Sequence, residues 1–205
     1  MKIIENIEQN TNAWLDLRKG RITGSKLGDI VVKRGTGKKI GFYELIADKL
    51  SIVEEAEDPM ERGHRLEGDA LKVFSEKTGK KLTTGIFCVS DDDDNMALSP
   101  DALIGSRGKY TEAVEVKCLS AAKHLMAYFE QKVPSEYEFQ VLQYFIVNDK
   151  LKTLYFVFYD PRITVKPIHW LEISRESLQE DIETYKKYQI DTLKEINALI
   201  EQLAF

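Results

Sequence analysis

The hydrophobic period of the chain changes at Gly79, and that change limits the folds open to it. Upstream, apolar residues recur at helical spacing. Thr11 or Asn12 is placed to cap a short helix bearing Trp14, Leu15 and Leu17. Thr23-Gly24-Ser25 precedes a second helix with Leu27, Ile30 and Val31 inward, and Phe42–Leu50 reads as a third. Asp58-Pro59 opens a fourth that runs to about Thr78, since proline suits the first helical position and glycine the residue after the last turn. Downstream, Lys81–Val89, Met96–Leu98, Ala102–Ile104 and Glu112–Leu119 read as strands separated by turn residues. Helical spacing returns over Ser120–Gln131 and Ser135–Val147, followed by strands at Leu151–Tyr159 and Val165–Ile173. Ser174 then caps a long last helix with a stripe of Leu178, Ile182, Tyr185, Leu193, Ile196, Leu199 and Leu203. No repeat and no linker interrupts this order, so the expectation is one α/β domain across 205 residues. Within it, 1–57 forms an N-terminal helical segment, 58–173 the core and 174–205 the terminal helix.

Composition excludes several classes. With 43% hydrophobic and 31% charged residues the chain is ordinary globular material, neither collagen-like nor disordered. Its longest apolar runs, such as Leu154–Tyr159, are far short of a membrane span. The opening Met1-Lys2-Ile3-Ile4-Glu5 does not read as a signal peptide. Two cysteines, Cys88 and Cys118, make no disulfide framework, which points to a reduced, cytoplasmic setting.

Net charge is −5, which speaks against a general nucleic-acid coat. Its placement says more. Between Arg18 and Lys39 lie eight basic residues (Arg18, Lys19, Arg21, Lys26, Lys33, Arg34, Lys38, Lys39) and one acid, Asp29. That stretch carries +7 and leaves −12 for the rest. A basic run is often only a solvated face, but this one is interleaved with glycines that let backbone approach a phosphate. The four aspartates Asp91–Asp94 read as an exposed turn rather than an ion loop, because their spacing is not that of one.

Three pieces carry chemistry. Ser99-Pro100-Asp101 enters a strand, and Val114-Glu115-Val116-Lys117 follows Asp101 by fourteen residues at Glu115. Strand alternation turns the two valines to one face and leaves Glu115 and Lys117 together on the other, roughly 7 Å apart. The third piece is Glu67 in the helix Glu61–Thr78, close to Gly63 and Gly68. Asp101 and Glu115 on neighbouring strands can give Mg²⁺ hard oxygen ligands, with the Val116 carbonyl, waters and a substrate phosphate completing the shell. Glu67 can hold a metal-bound water or a second ion. Lys117 can orient an attacking water or stabilise charge on a phosphorane.

Each piece also has a plainer reading. Glu-x-Lys on a strand is commonly a solvated ion pair. Arg18 with Thr23-Gly24-Ser25 makes an anion site at a helix start, yet Ser25 taken on its own is better explained as a helix N-cap. Gln140, Gln143 and Tyr144 read first as a partly exposed helix face, and Trp14 and Trp170 as packing residues. His64, His124 and His169 are dispersed, with no zinc spacing, and there is no phosphate-cradling P-loop.

Taken in order, however, these segments resemble one family. Trp14-x-x-x-Arg18-x-Gly20-x-Ile22-Thr23-Gly24-Ser25, Gly63-x-x-x-Glu67, Leu98-Ser99-Pro100-Asp101-Ala102, Val114-Glu115-Val116-Lys117-Cys118, Gln140-Val141-Leu142-Gln143-Tyr144 and Tyr159-Asp160-Pro161-Arg162 are similar, in sequence and order, to motifs of the lambda-exonuclease (YqaJ-type viral recombinase) branch of the PD-(D/E)xK nucleases. The match spans about residues 10–165. The resemblance implies a single-domain PD-(D/E)xK fold, with a mixed central β-sheet flanked by helices and a long C-terminal helix. It implies a Mg²⁺-dependent (or Mn²⁺-dependent) 5′→3′ exonuclease that digests one strand of linear duplex DNA. The product would be a 3′ single-stranded overhang for phage-type recombination.

Residue by residue, the resemblance implies Asp101, Glu115 and the Val116 carbonyl as metal ligands, with Glu67 at a second ion. Lys117 becomes the catalytic lysine, Arg18 and Ser25 the 5′-phosphate grip, and Gln140 the residue positioning water or backbone, with Gln143 as its competitor. Arg34, Lys38 and Lys39 would grip the duplex. A ring-shaped homotrimer, a single-strand annealing partner, no membrane, and a bacterial host cytoplasm with phage or prophage origin follow from the same likeness. An endonuclease on the same fold and a non-catalytic DNA-end-binding module are the alternatives.

Overall fold

The computed structural model describes residues 1–33, 38–39, 41–42, 45, 61–106, 108–119, 121–161 and 163–203, without the side chains of 61–65 and 121–122. Arg34, most of the expected helix Phe42–Leu50 and the start expected for the next helix at Asp58-Pro59 lie outside these residues; Phe42 and Leu45 are helical and buried.

The architecture is built around β6 (Lys109–Lys117). Antiparallel to it runs β5 (Ala102–Ser106), which pairs in turn with β2 (Leu82–Thr83). On the other side β7 (Thr153–Tyr159) lies parallel to β6, and β8 (Ile168–Ser174) closes the sheet antiparallel to β7. A parallel pair cannot be closed by a hairpin. The crossover is supplied by α4 (Ala121–Glu130), a 3₁₀ turn at Ser135–Tyr137 and α5 (Glu138–Val147). A second, antiparallel sheet holds β1 (Lys2–Glu5), β3 (Ile86–Val89) and β4 (Ala97–Leu98) in the order β1-β3-β4.

Alternation along β6 sorts the core. Val114 and Val116 face α3 (Glu61–Thr78), packing with Ala70, Leu71, Phe74, Tyr155 and Val157. Ala113, with Leu154, Phe156 and Phe158 of β7, belongs to the opposite core. There α2 (Gly24–Ile30), α5 and α6 (Gln179–Leu203) contribute Leu27, Leu142, Phe145, Ile182, Leu193 and Ile196. Each such side chain gains about 1.5–3 kcal/mol from burial. Thr11 caps α1 (Asn12–Arg18) by accepting from the Trp14 N–H, and Gly79 ends α3 with a left-handed φ of 68°. Leu15, one of the apolar residues that mark α1 in the sequence, is exposed. Among the described residues no helix is long and apolar enough to cross a membrane.

Several boundaries differ from the sequence reading: Glu112–Leu119 is observed as Lys109–Lys117 and Val165–Ile173 as Ile168–Ser174, and two further differences have a clear local cause. Lys81–Val89 is not one strand but two, belonging to different sheets. Gly85 sits at φ 66°, which side chains rarely adopt, and turns the chain there. Its carbonyl accepts from the Ile7 N–H at 3.0 Å, and a Cβ on it would stand 3.3 Å from the Ile7 oxygen. Ser174 caps a 3₁₀ turn at Arg175–Leu178, and α6 begins only at Gln179. In the α6 stripe Leu203 is exposed, while Gln189 and Thr192 are buried beside the leucines.

The structure also brings His124 and His169 together, ring centroids 4.6 Å apart, although 45 residues separate them. Each Nε2 meets a backbone carbonyl: His169 meets that of His124 at 3.0 Å, and His124 that of Lys166 at 2.8 Å. His169 stacks on Phe158, and its pKa is lowered to about 4 by burial, which outweighs the opposing hydrogen bond to the His124 backbone. The unfolded chain therefore takes up this proton before the folded one. Stability should fall as pH drops from about 6.5 towards 4. His169→Phe should make that decline shallower by up to about 1.4 kcal/mol per pH unit. Urea unfolding of both proteins across this range tests it; parallel curves would exclude the assignment.

Candidate active site

The fold collects the chemistry at one end of β6. Ala102 pairs with Val114, so one more step of the same register sets Asp101 opposite Glu115. The Val116 N–H donates to Asp101 Oδ2 at 2.6 Å and locks the two strands at this point. Glu67 arrives from α3. Asp101, Glu115, Val116, Lys117 and Glu67 line a single cleft of about 500 Å³.

Glu115 is nearly fully buried and held by three donors. Lys117 Nζ lies 2.6 Å from Oε1, Gln140 Nε2 donates to the same oxygen, and the Tyr144 hydroxyl donates to Oε2. Lys117 Nζ also sits 4.8 Å over the Tyr137 ring. Burial alone would lower the Lys117 pKa. The Glu115 charge and hydrogen bond, with Asp101, more than offset it, so the pKa is raised and the ammonium stays charged. Asp101 goes the other way for a carboxylic acid: burial, then repulsion by Glu115 and Glu67, hold its pKa well above the usual range despite the Val116 hydrogen bond. Tyr144 stays a neutral phenol, its pKa raised by burial and by the same carboxylates.

The N-terminal helices form the other wall. Arg18 Nη2 donates to Ser25 Oγ at 2.7 Å, and the guanidinium lies 4.3 Å over the Trp14 ring. Trp14 Nε1 in turn donates to Ser99 Oγ at 2.6 Å, on the segment that carries Asp101. Burial lowers the Arg18 pKa and Glu115 partly restores it; a guanidinium remains charged at neutral pH regardless. Thr23, not Ser25, occupies the N-cap of α2, which frees the Ser25 hydroxyl to face the cleft beside Arg18.

Gln140 and Gln143 separate cleanly. Gln140 lines the cleft and bonds Glu115. A Cβ on Gly24 would come 3.0 Å from Gln140 Cγ, so the glycine gives this side chain its room. Gln143 is fully buried and points away, donating to the backbone oxygens of Ile22 at 2.8 Å and Ala97 at 3.2 Å. The helix face read as partly exposed is thus buried from Val141 to Val147. Lys38 pairs with Glu195 of α6, and Lys39 Nζ donates to the Gly28 carbonyl at 3.0 Å; neither lines the cleft. Arg34 lies outside the described residues.

Sequence reasoning passed over four residues at the site: Gln9, Trp14 as a wall of the cleft, Tyr137 and Tyr144. Tyr144 had a signal, since it follows Gln140 by four residues and so shares its helix face. Gln9 had none.

The donor set fits a divalent ion. Among the described residues no three His, Cys, Asp or Glu side chains form a closed cage. Mg²⁺ does not require one, because it keeps waters and commonly takes one or two carboxylates with substrate phosphate. Asp101 and Glu115 offer hard oxygens, and the mutual repulsion that raises the Asp101 pKa is what a cation would relieve.

The YqaJ-like viral recombinase domain matches residues 13–151. The chain belongs to this family. Among solved structures, this YqaJ-like chain is similar to the alkaline exonuclease LHK-Exo from Laribacter hongkongensis, at 26% identity over 95% of this chain and 98% of that one, with a TM-score of 0.78. The same enzyme in complex with dAMP matches over the same shares at 26% identity, with a TM-score of 0.77. A phage-related exonuclease from Haemophilus somnus 129PT shares the fold at 13% identity, over 89% of this chain and 96% of that one, with a TM-score of 0.59. No curated protein sequence matches the chain. The matched YqaJ-like region takes in every cleft-lining residue named above except Gln9.

The two glutamines of this YqaJ-like domain should respond differently to substitution. Gln143→Leu should cost about 1 kcal/mol, because the Ala97 carbonyl loses a buried donor while the Ile22 carbonyl keeps the Ala97 N–H. Gln140→Leu should cost more, about 1.5–3 kcal/mol, because it takes a donor from the buried Glu115 carboxylate. Chemical denaturation measures both; equal losses would contradict the division.

Proposed function

We propose that the chain is a metal-dependent 5′→3′ exonuclease acting on one strand of linear duplex DNA. Family membership and the likeness to an alkaline exonuclease support a nuclease. The observation that carries the finer reading is the single cleft. Arg18 and Ser25 stand on one wall, and Asp101, Glu115, Glu67, Lys117 and Gln140 on the other. Its volume, about 500 Å³, suits a terminal nucleotide rather than a duplex. A chain end with its phosphate on Arg18 and Ser25 would present the next phosphodiester to the carboxylates.

Asp101, Glu115 and the Val116 carbonyl would hold a first ion and Glu67 a second, Mg²⁺ or Mn²⁺. Such ions polarise the phosphate and lower the pKa of bound water. Lys117, kept charged beside Glu115, places a compact cation against the charge developing on phosphorus. Gln140 holds Glu115 Oε1 and so fixes that carboxylate for its task. Arg18 binds a terminal phosphate in two directions at once, with its plane steadied by Trp14. We extend the proposal to a single nuclease unit over the whole chain, a ring-shaped homotrimer in solution, and work beside a single-strand annealing protein in phage-type recombination within a bacterial cytoplasm. Light scattering tests the trimer.

The deciding experiment compares linear duplex with 5′-phosphate ends, linear duplex with 5′-hydroxyl ends, and closed circles, each with Mg²⁺ and with EDTA. Linear 5′-phosphate DNA should be digested fastest, circles should survive, and EDTA should stop digestion. Rapid cutting of circles would replace this reading with an endonuclease, and end binding without hydrolysis with a binding module. Lys117→Ala should reduce turnover by about 10²–10³-fold while DNA binding persists. Arg18→Ala should cut the preference for phosphorylated over hydroxyl ends by about tenfold or more; an unchanged ratio removes its anchoring role.

A further inference from the structure

We propose that Gln9 is a positioning residue for the metal site: its side-chain amide fixes the Asp101 carboxylate for ion binding. This rests on reading Asp101 as a metal ligand. Asp101 is buried and repelled by both Glu115 and Glu67. A carboxylate under that repulsion needs donors to hold its plane. One comes from the Val116 N–H on Oδ2. The other is Gln9 Nε2, 3.1 Å from Oδ1, with the Pro100 carbonyl at 3.5 Å. Each oxygen thus has its own donor, from two separate elements. An amide suits the place because it donates without adding charge. A lysine there would neutralise the carboxylate and compete with a cation, and an acid would add to the repulsion.

The backbone presenting Gln9 is held in place. Asn6 and Asn10 both adopt left-handed conformations, with φ of 59° and 62°, and bracket the segment between β1 and α1. Such residues persist where the surroundings over-determine them, and they cluster at functional sites. Here the Ile7 N–H donates to the Gly85 carbonyl at 3.0 Å, and Thr11 Oγ1 donates to the Glu8 carbonyl at 2.8 Å. Gln9, Glu67 and Asp101 together form the wall shared by the main cleft and a second one of about 550 Å³ lined by Asn6, Thr84 and Gly85. The amide therefore sits between two clefts, where a loose carboxylate would otherwise turn.

Mn²⁺ affinity of the DNA-free protein, by calorimetry, reads this out apart from activity. Gln9→Leu keeps the bulk and removes the donor; it should weaken Mn²⁺ binding about tenfold, with an unchanged melting temperature in EDTA. Gln9→Ala should give the same shift, so that a folding defect in either variant does not decide the matter. Asp101→Asn is the control and should lose the binding altogether. Wild-type Mn²⁺ affinity in both Gln9 variants, with binding lost in Asp101→Asn, would overturn the role of Gln9 and leave the metal site standing. Asp101→Asn binding like wild type, or wild type taking up no Mn²⁺, would instead remove the metal reading and the role of Gln9 with it.

Discussion

The rest of the structure depends on the burial of the Glu115 carboxylate in the central strand. An ionised carboxylate loses several kcal/mol of hydration when taken out of water, and only close donors recover it. Three meet it here: the Lys117 ammonium from the same strand face, and Gln140 and Tyr144 from α5. That requirement ties α5 to the end of β6 and so fixes the crossover between the parallel strands β6 and β7. A helix docked there by apolar contact alone could shift along the sheet. One carrying two donors to a single carboxylate cannot shift without exposing an unpaired charge.

The same constraint reaches the N-terminal helices. Asp101 and Glu115 face each other across β5 and β6, so whatever positions Asp101 also sets the field around Glu115. Ser99, two residues before Asp101, receives the Trp14 indole, and Trp14 carries Arg18 on its face. Arg18 in turn feels the Glu115 charge directly. The two walls of the cleft are therefore parts of one hydrogen-bonded and electrostatic network. A change at Trp14 would be felt by both Arg18 and the Ser99-Pro100-Asp101 segment.

Much of this was legible in the sequence, for reasons that differ by residue. Strand alternation is geometric, so Glu115 and Lys117 on one face with Val114 and Val116 on the other followed directly from their spacing. Gly79 as a helix stop followed from its freedom at positive φ. Features created by long-range pairing were not legible. Gln9 approaches Asp101 across 92 positions, and His124 meets His169 across 45. The split of Lys81–Val89 depended on Gly85 meeting Ile7, another contact no local pattern announces. Gln140 and Gln143 lie on one helix with similar surroundings in sequence. Only the position of Ile22 and Ala97 behind that helix shows which one belongs to the core.

The basic stretch from Arg18 to Lys39 shows why charge along a chain is an incomplete guide to charge in space. In sequence it is a +7 segment in a chain of net −5. In the folded chain much of it is committed internally. Arg21 donates to the carbonyls of Leu17 and Asp94, Lys33 lies over the Phe139 ring, Lys38 pairs with Glu195, and Lys39 holds the Gly28 carbonyl. Among the described basic residues of this stretch, Arg18 lines the cleft, set among carboxylates rather than in a wide positive field. A site of that kind gains little from long-range attraction of a polyanion, which salt screens within about 8 Å at physiological strength. On the proposed function it would gain from short-range geometry: a planar guanidinium and a hydroxyl facing one phosphate, next to acids that would repel a second phosphate until a cation bridges them. Selectivity for a chain end would then come from the arrangement of Arg18 and Ser25 against Asp101 and Glu115, and the surplus of positive charge in the sequence would matter chiefly for how the N-terminal segment is fastened to the rest.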